Sequence, residues 1–340
     1  MKNTIIAVND GTSTLKLIDK SKIHTAEFAI HWREGLDVVL CRNSQAKPEL
    51  ISNWHTVNSG KMAKFTLNPN HAGGCNSLTD FEQIVARWAQ SESFRASDMC
   101  IGRCDYAFDS TNKQTVDIFV KVASLVYFAF LTKHQPRKTD RKRFEIADDF
   151  TFTGYLGRKK GYAIQIDLYD KQTQKPTSDT LWRFEIRYIE TSRNRHKRED
   201  AKGMLEAIIT ELESLKSYYH QAQDRLSFNL AQHFNSLQQG TQKRLSKNQH
   251  LFTYNDRVFS RYMIKKFFKL VLTDADEQTC DRRTNDFSDE YDHLFISQKE
   301  FEAFINEMIS NIQHYIEYPT NGVLFPQYLE SADMSWLAKL

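Results

Sequence analysis

The sequence predicts an α+β fold: an antiparallel sheet with helices on one face, preceded by a β-rich lobe and followed by a mainly helical region. Three observations predict it. The segments "IGRCDYAFD" (101–109), "YAIQIDLYD" (162–170) and "WRFEIRY" (182–188) alternate apolar and polar residues with the period of a half-buried strand. "KQTVDIFVKVASLVYFAFL", from Lys113, is apolar for too long to be one strand and reads as a buried helix between the first of these strands and the others. From "HKREDAKGMLEAIITELESLKSYYH" (from His196) onward, apolar residues recur at helical spacing. The divisions that follow are a β-rich lobe over 1–75, an α+β core over 76–200 and a mainly helical region over 201–340.

Taken in order, "TLKLID" (14–19), "TAEFAIHW" (25–32) and "LDVVLC" (36–41) read as short strands between polar turns. "SLTDFEQIVARWAQ" (77–90) puts Leu78, Phe81, Ile84, Val85 and Trp88 on one stripe of a helix, with Thr79 and Glu82 spaced as a capping box. The core strands are expected at 101–109, "DFTFTGYLG" (149–157), 162–170 and 181–190. In "RYMIKKFFKLVL" (from Arg261) the stripe Met263, Ile264, Phe267, Phe268 and Val271 reads as core-facing. "TDADEQTCDRRTNDFSDEYD" (273–292) is acidic and reads as an exposed connection.

Composition narrows the function classes. Charged residues make up 26% of the chain and aromatic residues 12%, the profile of a globular protein rather than a disordered one. No apolar run reaches the roughly 20 residues that span a bilayer, and no membrane partner is expected. The five cysteines include no C-x-x-C pair, which removes the usual zinc and redox signatures and suits reduced thiols in a cytoplasmic protein. The net charge of +3 is unevenly placed: residues 133–198 hold 17 Lys and Arg against 9 Asp and Glu. Three clusters supply most of this surplus, "KHQPRKTDRKRF" (from Lys133), "GRKKG" (from Gly157) and "RNRHKRE" (from Arg193). Three basic clusters around one set of strands point to a polyanionic partner, because neutralised phosphates and released counterions drive such binding.

Strand parity then assigns faces. Cys104, Tyr106 and Phe108, Ile164, Ile166 and Leu168, and Trp182, Phe184, Ile186 and Tyr188 point to the core. Arg103, Asp105 and Asp109, Gln165, Asp167 and Tyr169, and Arg183, Glu185 and Arg187 therefore share the opposite face. Each strand delivers a carboxylate there. Clustered carboxylates suit a hard cation, Mg²⁺ or Mn²⁺, which polarises a phosphodiester, and a tyrosine beside them can act as nucleophile. With an ordinary pKa of about 10, that phenol needs help from Lys171, Lys159 or the ion.

The ordered set "IGRCDYAFD", "FTGYLGRKKGYAIQIDLYDK" and "WRFEIRY" resembles the replication initiation factor family, the initiators of staphylococcal-type rolling-circle plasmids with relatives in filamentous phages and integrative elements. Arg103, Asp105 and Asp109 match its first element, Tyr155, Gly157 and Arg158 its turn, Tyr169, Asp170 and Lys171 its third element, and Arg183 and Glu185 its last. The resemblance covers roughly residues 99–190. It implies a ferredoxin-like or HUH-nuclease-like core and site-specific nicking and rejoining of origin DNA through a 5′-phosphotyrosine, leaving a 3′-hydroxyl primer. Carried over, Tyr169 is the nucleophile with Lys171 assisting, and Asp105, Glu185 and Asp109 hold Mg²⁺ or Mn²⁺. Apart from the resemblance, the arginines and the basic clusters around these strands are expected to hold nucleic acid through Arg103, Arg158, Lys159, Lys160, Arg183, Arg195, Lys197 and Arg198. Two departures stand out: Asp167 occupies a position that is basic in the family, and no His-x-His pair occurs among the 11 histidines.

Alternatives remain open at this level. Tyr155 and Tyr162 compete with Tyr169 as nucleophile. A relaxase of a mobile element would use the same tyrosine chemistry, and an open sheet can serve as a non-catalytic platform for single-stranded nucleic acid. Origin DNA, a host helicase and a second copy of the chain are the partners the resemblance admits.

Overall fold

The computed structural model describes residues 16–72, 75–95, 98–111, 115–134, 152–158, 162–171, 182–190, 200–226, 274–291 and 296–318, together with 265, 268, 269 and 272. Seven strands form one antiparallel sheet: β1 (Lys20–His31), β2 (Ile51–Val57), β3 (Met62–Leu67), β4 (Met99–Ser110), β5 (Phe152–Arg158), β6 (Tyr162–Asp170) and β7 (Trp182–Glu190). Their order is β2-β3-β1-β4-β7-β6-β5, with the helices on one side. The expected α+β class is the one found. β1, β2 and β3, from the segment that reads as an N-terminal lobe, continue the same sheet as the core strands, and β1 pairs directly with β4.

Three expectations for the N-terminal half change. Residues 16–19 of "TLKLID" precede β1 and form no strand. "LDVVLC" lies in a helix, α1 (Leu36–Ala46), because Leu36, Leu40 and Asn43 recur at helical spacing on its buried side. The stripe on α2 (Leu78–Ser91) is as expected, but its cap lies two residues earlier than Thr79. The Ser77 side chain accepts from the Asp80 amide at 3.1 Å and Asp80 in turn accepts from the Asn76 amide, which leaves Thr79 inside the first turn. Phe81 stacks on Phe28 of β1 (6.3 Å between centroids) and Trp88 packs at a tilt against Phe65 of β3 (4.9 Å), fixing α2 over this half of the sheet. Such ring pairs add about 0.5–1.5 kcal/mol each beyond their buried area.

The other half is covered by α3 (Val116–His134), α4 (Ala201–Leu215) and α6 (Gln298–Glu317). Helix α3 is apolar nearly all round, and Phe119, Val122, Ala123, Leu125, Val126, Phe128 and Phe130 are all buried. Helix α6 starts in a capping box between Ser297 and Glu300 and turns Phe301, Phe304, Ile305, Met308, Ile312 and Tyr315 inward. Its Phe304 meets Phe119 edge-on at 5.8 Å and its Tyr315 meets Tyr106 of β4 at 5.5 Å, so residues far apart in sequence complete one core. The acidic stretch expected to be a connection is a helix, α5 (Glu277–Tyr291). Cys280, Arg283, Thr284 and Phe287 give it a buried side at i, i+3, i+4 and i+7, a pattern hidden by the acids around it. Phe268 and Leu272 are buried as well; Met263, Ile264, Phe267 and Val271 lie outside the described residues.

Two bulges set the phase of the central strands. In β1, Ile23 pairs with Tyr106 and Thr25 with Asp105, so His24 is an extra residue; in β4, Gly102 is extra between Ile101 and Arg103. The first bulge switches the core set of β1 from odd to even positions, Ile23 before it and Ala26, Phe28 and Ile30 after it.

Candidate active site

The face opposite the helices is built on the neighbouring strands β4, β7 and β6, with β1 at its border. Register brings the polar side chains into rows. Asp109 stands opposite Arg183, Asp105 opposite Arg187, Asp167 opposite Glu185 and Tyr169 opposite Arg183. Residues directly opposite in an antiparallel ladder share a face with Cβ atoms about 5 Å apart. The convergence expected from strand parity is therefore present.

Its solvation differs from the expectation of an open platform. Relative exposure is 1% for Asp105, 3% for Asp109, 6% for Asp167, 1% for Arg183 and 2% for Glu185. Charges this buried are tolerated only when paired and hydrogen-bonded, and here each carboxylate meets a guanidinium. Asp109 accepts two bonds of 2.6 Å from Arg183 Nε and Nη2 in a fork-to-fork pair. Asp105 accepts from Arg103 Nε at 2.7 Å and from Arg103 Nη2, and from Arg187 Nε at 3.0 Å. Arg187 Nη2 also lies 3.0 Å from Asp167 Oδ2 and 3.0 Å from Glu185 Oε1. One guanidinium thus gathers three carboxylates from three strands. The acid at 167, anomalous beside the family pattern, finds its counter-charge on β7.

Tyr169 completes the face. Its hydroxyl donates to Glu185 Oε2 at 3.3 Å. Burial, and then the negative Glu185, push the phenol well above its ordinary pKa, while the Arg183 charge acts in the opposite sense. Burial and the neighbouring Glu185 likewise raise the Asp105 carboxyl, against the pull of Arg103 and Arg187. His24, delivered by the β1 bulge, lies with Nδ1 3.4 Å from Glu185 Oε2 and 3.1 Å from the Thr25 hydroxyl. Burial first, and then the Arg183 charge, lower its pKa to about 3, so the imidazole is neutral at ordinary pH.

The face is electrostatically divided. At the Tyr169 end, Lys22, Lys171 and Arg183 face Asp109 and Glu185, the latter shared between the two ends; Lys22 feels both Arg183 and Asp109, and Lys171 acts on His24. At the other end, Asp105, Asp167 and Glu185 outnumber Arg103 and Arg187. An anion is favoured at the first end and a cation at the second.

Among the sequence candidates, Asp105, Asp109, Arg103, Tyr169, Lys171, Arg183 and Glu185 come together on this face. Tyr155 and Arg158 belong to β5, whose side chains lie outside the described residues, as does the side chain of Tyr162; Lys159, Lys160, Arg195, Lys197 and Arg198 lie wholly outside them. Sequence reasoning misses His24 and Lys22, because β1 reads as part of a separate lobe and its bulge is invisible to a period-two pattern. It puts Arg187 on this face without the central place that its three ion pairs give it.

Asp105, Asp167 and Glu185 are oxygen donors of the type a hard divalent ion takes, but here they surround the Arg187 guanidinium. Asp109 has both oxygens on Arg183. Among the described residues, no group of three or more His, Cys, Asp or Glu side chains is placed so as to hold a metal ion, and no helix is long and apolar enough to cross a membrane.

No protein-family model matches the chain, and no curated protein matches it. Among solved structures, a rolling circle replication initiator protein from Geobacillus stearothermophilus is similar over 51% of this chain and 76% of that one, at 13% identity and a TM-score of 0.23.

Proposed function

We propose that the protein is a rolling-circle DNA replication initiator that nicks and rejoins one strand at an origin through Tyr169. The observation that carries this reading is the placement of the Tyr169 hydroxyl, donating to Glu185 Oε2 and facing Arg183, on a rigid sheet with a cation-rich end beside it. The sequence elements of the replication initiation factor type supply the same residues in the same order.

The chemistry follows from these groups. Glu185 takes the phenol proton as Tyr169 Oη attacks the scissile phosphorus. The bond from phosphorus to the 3′ oxygen breaks, that oxygen leaves as a 3′-hydroxyl after taking up a proton, and the 5′ phosphate remains esterified to Tyr169. Rejoining reverses each step: the 3′-hydroxyl attacks the phosphotyrosine, the phenolate leaves, and Glu185 returns its proton. No energy source is needed because one phosphodiester is exchanged for another. Lys171 adds positive charge where the phosphate approaches. Asp105 and Glu185, with Asp167, would hold Mg²⁺ or Mn²⁺ once Arg187 withdraws, and such an ion would supply Lewis-acid polarisation of a phosphoryl oxygen.

The test uses a degenerate pool of single-stranded DNA oligonucleotides incubated with the full chain and Mn²⁺. An SDS-resistant adduct that maps to Tyr169, with a free 3′-hydroxyl on the released fragment, supports the reading. A salt-sensitive shift without any adduct would leave a non-catalytic nucleic-acid platform.

A further inference from the structure

The buried Arg183 guanidinium has more donors than its partner uses. Nε and Nη2 are both committed to Asp109 at 2.6 Å, while Nη1 is closed to water and makes no well-formed hydrogen bond among the described residues, the guanidinium's other polar neighbour being the Tyr169 hydroxyl. A buried donor without an acceptor is costly, and structures seldom carry one without a use. The Asp109 fork fixes the direction of this spare donor as well as its depth, because a bidentate pair leaves a planar guanidinium no rotation. Its neighbour across the ladder is Tyr169, close enough for the Arg183 charge to act on the hydroxyl. Tyr169, Asp170 and Lys171 are the partly exposed residues at this end of β6.

We infer that Arg183 Nη1 is the donor for a phosphoryl oxygen at Tyr169, and that Asp109 is the positioning residue that aims it. The inference rests on the nicking and rejoining reading, in that the phosphate concerned is the scissile one. It assigns Asp109 and Arg183 a joint role in place of one metal ligand and one surface contact to nucleic acid. Arg183 would stabilise the charge that builds on the non-bridging oxygens as the phosphorus becomes five-coordinate, and would do so without reorganising, since its orientation is already set. Lys22 and Lys171 offset the carboxylates nearby, so the anion does not face Asp109 and Glu185 alone.

The probe is inorganic phosphate, titrated into the full chain in about 0.15 M salt, with the Arg183 Nε–Hε signal followed by ¹H–¹⁵N NMR and the affinity measured by calorimetry. In wild type and in Tyr169→Phe the Arg183 signal should move, with affinities within about twofold of each other. Arg183→Gln should weaken binding at least about tenfold, and Asp109→Asn should weaken it while Arg183 is still present. Because Arg183→Gln leaves Asp109 buried and unpaired, the double variant Asp109→Asn with Arg183→Gln provides a neutral pair of similar shape, and it too should lose phosphate. An Arg183 signal unmoved in wild type, or unchanged affinity in either variant lacking Arg183, overturns the inference. A DNA adduct on a different tyrosine would defeat the assignment of Tyr169 yet leave the phosphate result standing, so the two readings fail separately.

Discussion

Tyr169 stands directly opposite Arg183 across the β6–β7 ladder, and its hydroxyl reaches two residues along β7 to donate to Glu185 at 3.3 Å. Replacing Tyr169 with Phe removes the nucleophilic oxygen and one long hydrogen bond while keeping the ring. Covalent adduct and nicking should vanish, DNA affinity should persist, and stability should fall by about 1 kcal/mol or less. Gel assays and urea midpoints measure these outcomes; nicking that survives would move the nucleophile to Tyr155 or Tyr162.

The pair of Asp109 with Arg183 should be costly to break and cheap to replace. Asp109→Ala leaves a buried guanidinium without its counter-charge and should destabilise by about 3–5 kcal/mol, whereas Asp109→Leu with Arg183→Met should cost far less. A double-mutant cycle by urea denaturation gives the coupling directly, and a coupling near zero would contradict the buried geometry.

Arg187 offers a third test. Arg187→Gln leaves Asp105, Asp167 and Glu185 without the group that joins them, so the variant should be destabilised and should regain stability with Mn²⁺ more strongly than wild type does. Thermal melts with and without Mn²⁺ make the comparison. In the same frame, Asp105→Asn or Glu185→Gln should abolish ion-dependent cleavage, and cleavage persisting in EDTA would remove the ion from the scheme.

Affinity and chemistry should also separate. Neutralising Lys159 and Lys160, or Arg195, Lys197 and Arg198, should weaken binding to all DNA sequences alike and flatten its salt dependence, by about 0.7–0.9 in slope for each phosphate no longer neutralised. Cleavage at saturating protein should hardly change. Normal affinity with impaired sequence discrimination would mean that these clusters read bases.

A pH dependence follows from Cys75, whose thiol is buried against the Tyr315 hydroxyl at 2.9 Å. Burial is the main cause that pushes its pKa up to about 12 from an ordinary value of 9.0. Between these values the unfolded chain has released the proton and the folded chain still holds it, so stability falls as pH rises from about 9 to about 12. Urea midpoints between pH 8 and pH 10 should therefore drop less steeply in Cys75→Ala than in wild type, by at most about 1.4 kcal/mol per pH unit for the single proton. Equal slopes would refute the assignment.

Sequence carries the face of the sheet further than its state. Strand parity places Asp105, Asp167, Tyr169, Arg183, Glu185 and Arg187 together, because period two is a local property of the backbone. Which acid meets which arginine depends on inter-strand register, and that is why Asp109 reads as a metal ligand in the sequence while its oxygens lie on Arg183 in the fold. "LDVVLC" misleads because six apolar-rich residues fit either period, and only Asn43 beyond them completes the helical face. In α5 the acids around Cys280, Thr284 and Phe287 mask a spacing that is helical.

The single extra residue in β1 acts as a phase switch for the whole strand. Deleting His24 would not merely remove an imidazole. It would leave Ile23, Thr25 and Ala26 opposite Tyr106, Asp105 and Cys104 in an unbroken ladder, so Ala26, Phe28 and Ile30 would keep the helix-facing side while the local kink of the strand and the group beside Glu185 were lost together. The extra residue is therefore spare to the core, and the chain can retune the chemistry beside Glu185 at this position without renegotiating its packing.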